Sequence, residues 1–199
     1  QAMKEHDVPQ WYIDSCFKIK YMFPKAHAAA YMISALRLGW YKVHRPLEYY
    51  AAYFTVRGGD FDGVTAVKGK DAVVRKMKEL DVKIKNREAS QKEIDVFDSL
   101  QVANEMLARG IFLRPVDLYR SDARKFLVEE GQIRLPFSSL SGVGESAAVA
   151  LQEAREAGGE YISVDDLQAR AGVSSAVIDA LRETGALSQL PESSQTTLF

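Results

Sequence analysis

From Pro24 to Val43 the chain runs through AHAAAYMISALRLGWYKV without a further proline, and Pro46 then reopens the pattern with LEYYAAYFTV. Proline suits the first turn of a helix, where its missing N–H has no partner to lose, and it disrupts the interior. A long helix from about Pro24 to Val43 is therefore the strongest constraint on the fold. Ala29, Ile33, Leu36 and Trp40 recur at spacings of four, three and four, which predicts a buried stripe along it. The helix from Pro46 is expected to stop near Gly58-Gly59.

Upstream, residues 9 to 19 (PQWYIDSCFKI) read as a short helix, with Trp11, Ser15 and Lys18 on a different face from Tyr12, Cys16 and Ile19. Cys16, among aromatic and apolar neighbours, is expected to be a buried small hydrophobe. Residues 60 to 110 carry two more polar helical segments, VVRKMKELDVKIKN and KEIDVFDSLQVANEMLARG, separated by REAS. Gly110 is a candidate C-terminal cap, and Ile94, Phe97, Val102, Met106 and Leu107 supply an apolar face. After Gly110, IFLRPVDL, RKFLVEE and IRLPFSSL are short, partly alternating and bounded by Pro, Gly and polar residues, which predicts two or three small strands. Three helices are expected from Gly142 onward, in ESAAVALQEAREAG, SVDDLQARAG and SSAVIDALRETGAL, and PESSQTTLF then leaves as an extended tail. The predicted class is mainly α with a small β element, divided into residues 1–110, 111–190 and 191–199.

A chain of 199 residues, 47% of them apolar, can build one or two cores, so disorder throughout is not expected. A single cysteine excludes an internal disulfide or a multi-cysteine zinc site and points to an intracellular, cytoplasmic protein. No run reaches the roughly 18 apolar residues of a membrane span, and the start QAMKEHDVPQ lacks the apolar core of a signal peptide. Gln1 in place of a methionine fits a fragment. Net charge is −1 but unevenly spread: residues 1–90 hold 16 Lys and Arg against 10 Asp and Glu, a net +6, and residues 91–199 hold 10 against 17, a net −7. Phosphate contacts by side chains are expected from the front half, while the acidic half would have to use backbone groups. The competing reading is an ordinary mosaic surface.

Three constellations carry chemistry. SLSGVGESAAVALQEAR, residues 139–155, places Gly-Val-Gly between a hydrophobic residue and a helix of small residues, the pattern of a helix-hairpin-helix. Gly142 and Gly144 let the chain turn tightly and approach a phosphate, and the first N–H groups of the helix beginning near Glu145 and Ser146 point outward. A second, weaker hairpin, with only one glycine, is expected at Ala171-Gly172-Val173-Ser174, so that Gly142, Val143, Gly144, Glu145, Ser146, Gly172 and Ser174 are candidate DNA-binding residues. Phosphate contacts carry no base information, so binding should be independent of sequence. In KIKYMFPKAHAAAY, residues 18–31, Lys25 and His27 fall in the first turn of the long helix, where its dipole favours an anion such as a triphosphate, with Lys18 and Lys20 just upstream. Tyr31, one turn after His27, could stack on a base or sugar. The end of the chain, Gln195-Thr196-Thr197-Leu198-Phe199, combines a directional amide with two adjacent large apolar side chains, a peptide suited to a partner's pocket. Plainer readings stand beside these: a strand-to-helix turn, ordinary packing of a His and a Tyr, and a tail folded back on its own domain. His6, His27 and His44 lack metal-ligand spacing, so no metal is expected, and Asp60 and Asp62 in RGGDFDG read as a turn or helix cap.

Together these segments resemble the C-terminal portion of PolC-type bacterial DNA polymerase III, a C-family replicative polymerase, over the whole chain. YMFPKAHAAAY followed by LGWYKVHRPLEYYAAYFTVR is similar to the polymerase fingers, FSSLSGVGESAAVALQEAREAG to the duplex-binding helix-hairpin-helix region, and QTTLF to the clamp-binding peptide. Residues 60 to 100 resemble the family only loosely. The resemblance implies a helical fingers subdomain at 1–110, a tandem helix-hairpin-helix domain at 111–190 and a clamp-binding tail at 191–199. It makes Lys25 and His27, with Arg37 and Lys42 less clearly, candidates for the nucleotide side beside the Tyr31 already read from the residues, and Gln195, Leu198 and Phe199 for the sliding clamp. Implied partners are primer-template duplex DNA, a deoxynucleoside triphosphate, the sliding clamp and the remaining polymerase domains. The palm aspartates have no counterpart here, so Mg2+ is expected at the palm of the full polymerase and the isolated chain is expected to be inactive. The alternatives are a non-enzymatic DNA-binding, clamp-binding adaptor and a helical interaction module.

Overall fold

A computed structural model describes residues 1–19, 25–58 and 60–193. The chain divides into two compact units, Gln1–His44 and Arg45–Phe199. The first holds α1 (Ala2–Glu5), α2 (Gln10–Lys18) and the long α3 (Lys25–His44). Pro24, the expected start of α3, lies outside the described residues. The predicted stripe is not buried: Ala29, Ile33, Leu36 and Trp40 are all exposed, as is every apolar side chain of α3. Tyr31, Met32, Leu38, Tyr41 and Val43 share the helix with them, so it is apolar on all sides, a pattern suited to a helix enclosed within a larger body. A unit of 44 residues has too little chain to supply that enclosure, and among its described residues only Ile13 is buried. Cys16 is half-buried rather than buried for the same reason.

The second unit has a continuous core from Tyr50 to Leu187, running across residue 110. Pro46 opens α4 (Pro46–Arg57), whose Tyr50, Ala51 and Phe54 are buried. Phe54 lies 4.6 Å from Phe61 and 5.5 Å from Phe126, ring centre to ring centre, and the Thr55 hydroxyl accepts the Phe126 N–H at 3.0 Å. The short α5 (Gly63–Val67) is capped by Asp62, which accepts the Thr65 N–H at 2.9 Å, so Asp62 is the helix cap that the sequence suggested.

Two longer helices, α6 (Lys70–Lys85) and α7 (Gln91–Ala108), pack as an αα-hairpin. A capping box between Ser90 and Glu93 starts α7. The Lys83 ammonium reaches Glu93 at 2.7 Å and, helped by the Ser90 N–H and hydroxyl, holds its carboxyl down at about 2. α7 ends on Gly110 at φ +79°, where the N–H groups of Gly110 and Ile111 return to the Leu107 and Met106 carbonyls. This closure needs the left-handed backbone that glycine adopts without strain.

Three short strands follow, β1 (Leu113–Arg114), β2 (Leu127–Glu129) and β3 (Gln132–Arg134), in the order β1-β3-β2. β3 pairs parallel with β1, Leu113 opposite Ile133, and antiparallel with β2, Val128 opposite Ile133. Arg134 is buried, bonded to Glu129 and to the Pro115 carbonyl at 2.8 Å. Arg134 foremost, with Arg120, holds the Glu129 carboxyl at about 2 against the opposing effect of burial. The chain then enters α8 (Glu145–Gly158), α9 (Val164–Ala171) and α10 (Ser175–Glu183). The fold is mainly α with a small three-stranded sheet, as predicted. No helix among the described residues is long and apolar enough to cross a membrane.

Candidate nucleic-acid interface

The hairpin before α8 is built around one valine. Val143 is buried in the core with Leu140, Ala148 and Leu151, and its N–H bonds the Leu140 carbonyl at 3.1 Å. Anchoring Val143 inward leaves Ser141, Gly142, Gly144, Glu145 and Ser146 exposed. Gly142 sits at φ +87°, a requirement of the turn that a side chain would strain. Gly144 makes no such demand. It is the N-cap of α8 at φ −69°, and a Cβ added to it would meet nothing within 4 Å. The fold would accept a side chain here, and a Ser, Thr or Asp would ordinarily cap the helix. Glycine leaves the first N–H groups of α8 open and lets a bulky anion come close to the backbone.

The hairpin between α9 and α10 repeats the arrangement. Gly172 adopts φ +62°, Val173 is buried, and Ser174 is the N-cap of α10 at φ −72° and ψ 160°, against −69° and 162° at Gly144. The Ser174 hydroxyl makes no capping bond, so these helix N–H groups are also open. Gly172, Ser174, Ser175 and Ala176 are exposed around the buried valine. The hairpin expected to be weaker from its single glycine thus matches the first in its left-handed glycine and in the backbone angles of its N-cap. The structure brings Gly142, Val143, Gly144, Glu145 and Ser146 together in one hairpin and Gly172 and Ser174 in the other.

Arginines in this acidic half are largely committed to the scaffold. Arg155 donates to the Leu118 and Ser121 carbonyls, and Arg114 pairs with Glu129 and Glu130. Arg170 donates to the carbonyls of Ala154, Gly159 and Glu160 and lies 4.3 Å over the Tyr161 ring. Sequence reading missed the exposed pair Arg124-Lys125 beside the first hairpin. Arg124 meets Glu145 at 2.6 Å, and both line a cleft of about 390 Å³ with Ser138, Ser139, Val143 and Gly144. Two adjacent cations in a segment of net negative charge were the available signal.

In the first unit Lys25 opens α3, and the His27 ring lies 4.5 Å from that of Tyr31. Arg37, six residues beyond Tyr31, is about 120° round the helix from it, so the four nucleotide candidates do not share one face. All four are exposed, and Lys42 is half-buried near the other end. Lys20 and the tail residues Gln195, Leu198 and Phe199 lie outside the described residues. Just before the tail, the Pro191 and Glu192 carbonyls accept the Val164 and Asp165 N–H groups at 2.9 and 3.2 Å. Among the described residues no three His, Cys, Asp or Glu side chains are grouped to hold a metal ion.

Paired Gly-Val turns, each opening into a helix with its first N–H groups uncapped by a side chain, give the later part of the second unit a helix-hairpin-helix arrangement, and the family described as the helix-hairpin-helix motif matches residues 110–197. Over its whole length the chain is also similar to DNA polymerase III PolC-type from Streptococcus sanguinis, 48% identical over 198 residues, from Halalkalibacterium halodurans, 49% over 199, and from Streptococcus pneumoniae, 47% over 199. The chain is homologous to a segment of PolC-type DNA polymerase III. It spans 14% of the length of these relatives.

Proposed function

We propose that this chain is the part of a replicative DNA-directed DNA polymerase that grips the primer-template duplex, faces the incoming nucleotide and binds the sliding clamp, acting in the cytoplasm. The observation that carries the reading is the pair of matched hairpins in a chain homologous throughout to a PolC-type segment. The open N–H groups behind Gly144 and Ser174 hold consecutive backbone phosphates, which suits an acidic half whose arginines are mostly occupied. Lys25, His27, Tyr31 and Arg37 serve the nucleotide side, and Gln195, Leu198 and Phe199 dock on the clamp. Tethering makes the clamp contact effectively intramolecular once the hairpins hold the duplex, so a weak peptide adds strongly to retention. Phosphoryl transfer, with its Mg2+, belongs to carboxylates of the remaining polymerase domains, which also enclose α3.

Duplex DNA of random sequence, titrated by fluorescence anisotropy, is expected to bind the chain weakly and with a steep salt dependence. Binding that survives replacement of both Gly142 and Gly144 by bulky residues counts against the hairpins. Deleting Leu198 and Phe199 is expected to abolish capture by the clamp, and an unaffected pull-down removes the clamp from the reading.

A further inference from the structure

The loop Ser121–Lys125 is held rigidly beside the first hairpin. Asp122 accepts the N–H groups of Arg124 and Lys125, both at 2.8 Å, and Gln152 of α8 accepts the Ala123 N–H at 2.6 Å. The backbone N–H groups of Phe137 and Ser138 bond the Asp122 and Ala123 carbonyls, each at 3.0 Å. The Arg124 side chain is thus presented from a fixed base, exposed to 58%, with Glu145 as its ion-pair partner, itself 64% exposed. An ion pair so exposed stabilises little, and opening it costs little. Its position at the mouth of the Gly144 cleft is therefore poorly explained by folding. It also leaves a carboxylate beside the hairpin where phosphate is expected, a repulsion that Arg124 neutralises.

We infer that Arg124 is the side-chain phosphate contact of the first hairpin, held in reserve by Glu145 until a duplex backbone arrives. The inference rests on the hairpin reading proposed above and goes beyond it by adding a charged contact to a site built otherwise from backbone. On binding, the guanidinium exchanges one carboxylate oxygen for phosphate oxygens, which its planar fork can meet with two N–H groups. Lys125, exposed beside it, adds a less directional charge. Because the contact is to phosphate, it raises affinity for all sequences alike.

The test titrates a fluorescein-labelled random-sequence duplex against the chain and its variants across a salt series. Arg124→Ala is expected to weaken binding about fivefold and to lower the slope of log affinity against log salt by about one. Glu145→Gln is expected to tighten binding severalfold, and most of that gain should vanish in the Arg124→Ala background. Melting temperatures should stay close to that of the parent chain, which separates the contact from a structural brace. Unchanged affinity and slope in Arg124→Ala, with binding weakened by Gly142→Val, overturn the inference and leave the hairpins standing. If Gly142→Val also binds normally, the hairpin reading falls with it. A Glu145→Gln variant that binds as poorly as Arg124→Ala shows that the pair acts as a brace and overturns the reserve role.

Discussion

Gly142-Val143-Gly144 and Gly172-Val173-Ser174 each set a buried valine between two exposed residues and open into a helix with uncapped N–H groups. Their surroundings differ. The first has Arg124 and Glu145 across a cleft, whereas Arg170, the arginine nearest the second in sequence, is turned to carbonyls and the Tyr161 ring. Backbone geometry by itself makes two equivalent anion sites, and the cation placed beside one of them makes them unequal. The first hairpin should therefore carry more of the duplex affinity.

The largest break in the comparison is expected from Gly142→Val. A β-branched residue at φ +87° costs on the order of 1–3 kcal/mol, and anisotropy should register a loss of more than tenfold in duplex affinity. Gly172→Val at φ +62° imposes a similar strain but should lower affinity only a few fold. Equal losses would show that the hairpins share the load. A swap sharpens the contrast with less disturbance. Gly144→Ser has room for its side chain, so thermal melts should move by only about 0.5 kcal/mol while affinity falls about threefold, because a capping hydroxyl competes for the open N–H groups. Ser174→Gly should leave affinity and stability nearly unchanged, because the Ser174 hydroxyl makes no capping bond.

Acid should have the smallest effect on the contrast, because it acts on the scaffold common to both hairpins. Glu93 and Glu129 titrate at about 2 in the fold against an ordinary 4.5. Depressed values mean that their contribution is present above pH 4.5 and is lost as pH falls from there towards 2. Melts across that range should decline in parallel for the parent chain and the hairpin variants. Lys83→Met should flatten the share owed to Glu93, whose shift is caused chiefly by Lys83.

Most helices were legible because their signals are local. Pro46 at the first turn and Gly110 after the last turn are start and stop marks within four residues of what they mark. The stripe on α3 was misread because Ala29, Ile33, Leu36 and Trp40 were taken as a face of a helix that is apolar all round. Periodicity picks out a buried side only when the opposite side is polar. The weaker second hairpin was read from its glycine count, yet Ser174 holds the same N-cap angles as Gly144 without glycine, so what separates the two in the structure is the Arg124 beside the first and not the turn.

By itself the sequence determined the helical class, the positions of the turns and the two Gly-Val hairpins, since these depend on backbone preferences acting over a few residues. Tertiary structure alone decided that Val143 and Val173 plug the core, that Gly144 faces open space and is not needed by the fold, and that Arg124 stands opposite Glu145. Those facts depend on contacts between segments far apart in the chain. Asp122 orients the Arg124 backbone, but it is the bonds from Ala123 to Gln152 on α8 and from Phe137 and Ser138 back to the loop that carry it to the hairpin. No local pattern encodes such a distance, because it is set by how the whole core closes.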